Sequence, residues 1–206
     1  MARLDYLCEI TRPAVVYALN KMYKIHYEGK LPAKGAYILF SKHQTWLDQF
    51  LIGVYIRETT SRLASYIMRR FKFPLNHILT LYGGINIARP KELQKRVYSR
   101  QKAEELNKRA IEKAIHVLKR GEPLVIFPEG TRGYQTMGTK LKMRIPEEII
   151  KANIPELQFI PLGMEVEDID KPGSNIWLRA GQTFYTNNIS TLEQRLFTEI
   201  ARLSGF

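Results

Sequence analysis

Among 206 residues the chain has one cysteine, Cys8. A single thiol closes no intrachain disulfide, and Cys8 has no companion at metal-ligand spacing, so we read it as inert and see no call for an oxidising compartment. Long apolar runs are also missing: no stretch approaches the roughly 18 residues needed to span a bilayer. Nor does the N-terminus read as a secretory leader. Asp5 and Glu9 interrupt the place where an apolar region would run, and no small-residue cleavage site follows. The chain is therefore expected to be soluble, or to lie on a membrane without crossing it. In such a setting the sequon Asn188-Ile189-Ser190 carries no meaning. Acidic residues are scarce, 20 against 32 Lys and Arg, for a net charge of +12. That imbalance favours an anionic partner: nucleic acid, an anionic membrane surface, or an acidic protein or phosphorylated substrate.

What is present is otherwise ordinary for a globular protein, with 45% hydrophobic and 25% charged residues. The length suits one domain over residues 1–206. Residues 1–22 carry apolar side chains at helical spacing: Leu4, Leu7, Ile10, Val15, Val16, Leu19 and Met22. Pro13 should divide them into two helices or start the second. These amphipathic helices would cap the core, and with Arg3, Arg12 and Lys21 they could also rest on lipid headgroups. A half-exposed strand is expected at Lys24–Gly29, with His26 on its polar phase, then a turn at Leu31–Gly35 and a buried strand at Ala36–Phe40. Thr45–Arg57 is apolar nearly all round and reads as a buried helix. Further strands are expected at Leu63–Met68, Ile85–Ala88, Phe159–Met164 and 176–185. Pro161 suggests an edge or the end of its strand. A short helix opens at Pro74, holds His77 and stops at Gly83-Gly84.

The longest helical candidate runs from Lys91 to Arg120. Its (i, i+4) pairs are Glu92 with Arg96, Glu104 with Lys108 and Glu105 with Arg109. Ala103, Leu106, Ala110, Ala114, Val117 and Leu118 would be its buried stripe, and His116 sits near its C-terminus. An amphipathic helix is expected at 190–204. Strands alternating with helices give the fold class: α/β, a single domain with a mixed central sheet flanked by helices and an N-terminal helical segment.

Two polar clusters follow apolar strands. Leu124-Val125-Ile126-Phe127 runs into Pro128-Glu129-Gly130-Thr131-Arg132. A strand that delivers polar groups to its carboxyl end matches the place where open α/β sheets bind ligands. There a glycine admits close approach, and an arginine fork suits phosphate or carboxylate. The same segment also reads as a polar turn in which Glu129 pairs with Arg132. The other cluster, Ser41-Lys42-His43-Gln44-Thr45-Trp46-Leu47-Asp48, follows Tyr37–Phe40. Thr45 to Asp48 fits a capping box with Asp in place of Glu. If His43 sits in the turn before the helix, Asp48 can also accept its Nδ1 proton and leave Nε2 as a base. That is the orienting logic of a triad whose nucleophile is the substrate's own hydroxyl.

Taken in order, His43…Asp48, Gly84-Ile85-Asn86-Ile87-Ala88-Arg89, Phe127-Pro128-Glu129-Gly130-Thr131-Arg132 and Ile160-Pro161-Leu162 resemble the four motifs of the glycerol-phosphate and lysophosphatidic acid acyltransferase family. The resemblance covers residues 36–165. It implies transfer of a fatty acyl chain from a thioester of coenzyme A or acyl carrier protein to the free hydroxyl of 1-acylglycerol 3-phosphate, giving phosphatidic acid. It makes His43 the base and Asp48 its orienter. Arg89, Glu129, Gly130, Thr131 and Arg132, with Lys140 and Lys142, would hold the acceptor's phosphate. It implies no metal and no bound cofactor, the thioester being a substrate, and places the protein peripherally on the cytoplasmic face of a membrane. The chain departs from the family pattern in three places. Lys42 stands where Asn is usual, Ala88 where an acidic residue is common, and no glycine follows Lys140 or Lys142 in the usual pattern. The competing readings are the same chemistry on glycerol 3-phosphate or another lysophospholipid, and a non-catalytic basic module for anionic lipid or nucleic acid. The aromatics are not interleaved with basic residues as base stacking requires, and charge alone does not account for His43 and Asp48, so no nucleic-acid partner is expected.

Overall fold

Tyr37-Ile38-Leu39-Phe40 is apolar on both faces of a strand, a pattern that suits the middle of a sheet covered on both sides. The computed structural model puts it there; it describes residues 5–45, 47–60, 62–69, 79–89, 93–94, 97–130 and 140–206. In chain order the elements are α1 (Asp5–Met22), β1 (Lys24–Glu28), β2 (Tyr37–Ser41), α2 (Asp48–Thr60), β3 (Ser65–Arg69) and β4 (Gly84–Ile87). Then come α3 (Arg100–Lys119), β5 (Leu124–Ile126), α4 (Arg144–Lys151), β6 (Gln158–Val166), β7 (Asn175–Ala180) and α5 (Ile189–Leu203). Among the described residues the strands form one mixed sheet of order β1-β7-β6-β2-β5-β3-β4. All neighbouring pairs are parallel except β6 and β7.

The two faces of β2 go to two cores. Ile38 and Phe40 join Leu124, Ile126 and Phe159 beneath α3, α4 and α5, which contribute Ala114, Val117, Ile149, Leu196 and Ile200. Tyr37 and Leu39 join Val125, Ile160 and Leu162 beneath α2 and α1, which contribute Leu51, Ile52, Tyr55 and Leu19. Each fully buried Leu, Ile or Phe side chain stabilises the fold by about 1.5–3 kcal/mol. This α/β/α arrangement fixes what matters for the site. β2 and β5 are parallel neighbours, with Phe40 opposite Ile126. Their carboxyl ends therefore bring residues 42–43 beside residues 127–130.

The structure corrects several sequence expectations. α1 is one continuous helix with Pro13 inside it. Pro13 is exposed, so water can reach the Glu9 carbonyl that loses its donor, and Val15, Val16 and Leu19 pack inward to offset the defect. α2 starts at Asp48, three residues after the expected cap at Thr45, because the Leu47 carbonyl receives the first helical bonds, from Phe50 and Leu51. α3 starts at Arg100, where the Ser99 side chain accepts from the Lys102 amide. In it Glu105 pairs with Arg109 as expected, whereas Glu104 pairs with Arg100. Leu106 is only half-buried, the Ala103–Leu118 stripe otherwise facing the core. The Glu92–Arg96 pair, Trp46, His77 and most of the helix expected from Pro74 lie outside the described residues.

Pro161 sits neither at an edge nor at a strand end, since β6 lies inside the sheet. A strand residue's N–H and C=O point to the same neighbour. The Pro161 carbonyl takes the Gly181 amide at 2.8 Å, and the β7 ladder begins only at Leu162 opposite Ala180. The missing donor thus falls just past the end of that ladder.

Candidate active site

A polypeptide leaving β2 must turn sharply to enter α2, and that turn would strand backbone donors. Asp48, fully buried, collects them. Its Oδ2 accepts the Gln44 amide at 2.7 Å and the Thr45 amide at 3.0 Å. Oδ1 accepts the Thr45 amide at 2.9 Å and the Thr45 hydroxyl at 2.6 Å. Thr45 Oγ1 in turn accepts the Leu47 amide at 3.0 Å. Half of the expected capping box is therefore present, the carboxylate's half; the threonine turns to Leu47 instead of the Asp48 amide. The turn also brings His43 Nδ1 to 2.7 Å from Asp48 Oδ2. A carboxylate only accepts, so Nδ1 carries the proton and Nε2 is the ring's acceptor nitrogen. The His43 side chain is 21% exposed while Asp48 is sealed, so the imidazole reaches solvent and the carboxylate does not. Phe127 packs against the imidazole, ring centres 4.5 Å apart.

The second half of the site is the turn after β5. Gly130 has φ +65°, and a Cβ there would come within 2.5 Å of Lys142 Nζ and 2.8 Å of its Cδ, so this position suits glycine. The Lys142 amide donates to the Pro128 carbonyl at 2.7 Å, which lays the Lys142 stem across the turn. From the end of β4, Arg89 donates to the Gly130 carbonyl at 3.4 Å. Two cations far apart in sequence thus meet at Gly130. A fixed backbone turn with flanking guanidinium and ammonium groups is suited to a phosphate.

Compared with protein-family models, the chain matches the one described as Acyltransferase over residues 23–161. The chain belongs to the acyltransferase family. The match runs from β1 into β6 and contains His43, Asp48, Arg89 and the Gly130 turn. Among curated proteins none matches by sequence. Of the solved structures, the acyltransferase is similar in fold to the crystal structure of the 1-acyl-sn-glycerophosphate (LPA) acyltransferase PlsC from Thermotoga maritima. The TM-score is 0.67 at 16% identity, covering 98% of this chain and 79% of that one.

The expected site residues do not all take the expected places. Glu129 is buried and turned inward: Oε2 meets Lys42 Nζ at 2.9 Å and Oε1 accepts the His43 amide at 3.3 Å. Lys140 is exposed, two residues before Lys142. Thr131 and Arg132 lie outside the described residues. Elsewhere, His26 is a surface histidine stacked on Trp177, and His116 is exposed in the last turn of α3. Among the described residues no three His, Cys, Asp or Glu side chains are placed to hold a metal ion.

Sequence reasoning treated Lys42 only as a departure from a pattern. The available signal was its position at the exit of an all-apolar strand, where a buried lysine demands an acidic partner. The acyltransferase also has a mostly apolar cavity of about 110 Å³ between α1, α2 and the β3–β4 edge. Gln49 and Phe50, in the first turn of α2 beside Asp48, are among its walls, with Gly53, Leu63, Tyr66 and Met68.

Proposed function

We propose that this acyltransferase moves a fatty acyl chain from a thioester of coenzyme A or acyl carrier protein to the free hydroxyl of 1-acylglycerol 3-phosphate, giving phosphatidic acid. The observation that carries the reading is the His43–Asp48 dyad, whose imidazole reaches solvent and which, among the described residues, has no free side-chain nucleophile beside it. The Thr45 hydroxyl is engaged with Asp48, and that of Ser41 donates to the Lys42 carbonyl at 2.9 Å. The attacking hydroxyl then belongs to the acceptor. His43 Nε2 takes its proton as the oxygen attacks the thioester carbonyl. The tetrahedral intermediate collapses with loss of the thiolate, which recovers the proton from the imidazolium. Asp48 holds the ring and supports its cation. General-base assistance of this kind is worth about 10² to 10⁴ in rate.

Arg89, Lys142 and the Gly130 turn receive the acceptor's phosphate, with Thr131, Arg132 and Lys140 assigned by the family resemblance. The cavity beginning at Phe50 takes the acyl chain. The protein works peripherally at the cytoplasmic face of an anionic membrane. Tyr6, Ile10 and Tyr17, exposed at 63%, 71% and 69%, share one face of α1 and offer an amphipathic surface to lipid, while the basic excess meets anionic headgroups. No described helix is long and apolar enough to cross a membrane. The test is purified protein with a labelled acyl thioester and a panel of acceptors. Fastest turnover on 1-acylglycerol 3-phosphate is expected. Preference for glycerol 3-phosphate or for a lysophospholipid with a larger headgroup reassigns the acceptor, and no transfer to any acceptor refutes the reading.

A further inference from the structure

Lys42 is fully buried, which is unusual for a lysine, and it immediately precedes the base. Its ammonium lies 2.9 Å from Glu129 Oε2, and the Phe206 ring covers it at 5.3 Å from the ring centre. The lysine backbone is equally fixed, its amide donating to the Leu162 carbonyl at 3.3 Å. So enclosed, the ammonium does not reach substrate. What it reaches is the carboxylate whose other oxygen holds the amide of His43 at 3.3 Å. The chain of contacts therefore runs from the end of β5 through Glu129 to the backbone of the catalytic histidine, with Lys42 balancing the charge that makes it possible.

We infer that Lys42 is a positioning residue for the transfer reaction: by neutralising buried Glu129 it lets that carboxylate clamp the His43 backbone to the turn after β5. Asp48 then fixes the ring from one side and Glu129 fixes the main chain from another. The inference rests on the proposed role of His43. It also changes the role of Glu129, from a contact to the acceptor's phosphate to an internal strut. A bare carboxylate beside Gly130 would repel a phosphate; one paired with Lys42 does not. Removing Lys42 alone takes from the buried carboxylate the cation 2.9 Å away, a far worse change than removing both charges. The turn then shifts, and misplacing a base by about 1 Å costs on the order of 10² in rate.

The test uses four full-length proteins in one assay: wild type, His43→Ala, Lys42→Met and the double variant Lys42→Met/Glu129→Gln. Folding is read from denaturant midpoints, and turnover from labelled acyl transfer at saturating donor and acceptor. Lys42→Met is expected to lower kcat by roughly 10- to 100-fold, with both Michaelis constants within about threefold of wild type because Arg89, Lys142 and the cavity are untouched. In the double variant the neutral side-chain amide that replaces the carboxylate needs no cation and still offers an oxygen to the His43 amide. That protein should fold and recover at least about fivefold of the lost kcat, an effect that a merely structural lysine does not give. If Lys42→Met alone does not fold, a fifth protein, Lys42→Met/Glu129→Ala, which removes the clamp together with both charges, decides instead: a folded protein with kcat at least about fivefold below the Glu129→Gln double variant supports the inference, and equal kcat overturns it. Wild-type kcat in Lys42→Met overturns it, as does a double variant that is unfolded or no faster than Lys42→Met. Inactive wild type, or active His43→Ala, instead overturns the reading of His43 on which it rests.

Discussion

Asp48→Asn separates a residue that shapes a turn from one that supports a base. The Asp48 carboxylate takes four donors: the His43 ring, the Gln44 and Thr45 amides and the Thr45 hydroxyl. Asn can serve the same geometry in one orientation. With its oxygen in the place of Oδ2 it still accepts from His43 Nδ1 and the Gln44 amide, and it keeps the longer bond from the Thr45 amide at 3.0 Å. Its amide nitrogen then donates to Thr45 Oγ1. The tautomer of His43 survives and the turn survives. What disappears is a unit charge, with Oδ2 2.7 Å from Nδ1. At an effective dielectric of about 20, that charge attracts an imidazolium at this 2.7 Å separation by about 6 kcal/mol before desolvation is counted. In a serine triad the equivalent substitution lowers turnover by about 10⁴ by leaving the histidine in the wrong tautomer, so that figure is the upper bound where the tautomer is kept; each decade is about 1.4 kcal/mol of barrier. We therefore expect Asp48→Asn to remain folded and to lose between about 10² and 10⁴ in kcat, with little change in either Michaelis constant. The assay is labelled acyl transfer at saturating donor and acceptor. The denaturant midpoint reports folding, and the imidazole ¹⁵N shifts report the tautomer. A folded variant whose turnover stays within tenfold of wild type would show that Asp48 only shapes the turn.

The acceptor site gives a second prediction. Arg89→Ala and Lys142→Ala each remove a charge-assisted contact worth about 1.5–3 kcal/mol, so the acceptor Michaelis constant should rise roughly 10- to 150-fold while the donor's stays put; the reverse pattern would reassign these cations to the thioester. At the membrane, binding to anionic vesicles should weaken as salt screens the exposed cations, and replacing Tyr6, Ile10 and Tyr17 by Ser should weaken it further. Equal binding to neutral and anionic vesicles at low salt would contradict the electrostatic part. Stability should fall in alkali. Burial, first among several causes, pushes Tyr27, Tyr37 and Tyr55 up to about 12. Unfolded tyrosines ionise near 10. Below that pH the contribution is complete; between about 10 and 12 the unfolded state binds fewer protons, and stability drops by up to about 1.4 kcal/mol per pH unit for each tyrosine. Denaturant midpoints across this range should show the slope, and Tyr55→Phe should reduce it; an unchanged slope would mean that Tyr55 does not titrate with unfolding.

Much of the architecture was legible because hydrophobic patterning carries it. Tyr37–Phe40 announces a strand buried on both faces, and the all-round apolar stretch before Arg57 announces a covered helix. The dyad was legible too, because the spacing of His43 and Asp48 works only with the histidine in the turn before α2. The misreadings share a physical origin. Pro13 and Pro161 break local rules, yet each missing donor falls where the fold does not need it: on the exposed face of α1, and beyond the end of the β7 ladder. The start of α2 depends on which carbonyl receives the first helical bond, and a Thr-x-x-Asp pattern does not decide that. The family resemblance assigns Glu129 to the acceptor, and the local sequence pairs it with Arg132. Its partner lies 87 positions away, brought there by the pairing of β2 with β5. No local pattern reveals a contact set by strand order.

The most direct test of the central claim is acyl transfer by purified His43→Ala, compared with wild type at saturating labelled acyl thioester and 1-acylglycerol 3-phosphate, with folding verified by denaturant midpoint. The account predicts that the variant folds and that its turnover falls by at least about 10², since in the proposed mechanism Nε2 of His43 is the proton acceptor. A folded His43→Ala protein with near wild-type turnover would contradict it.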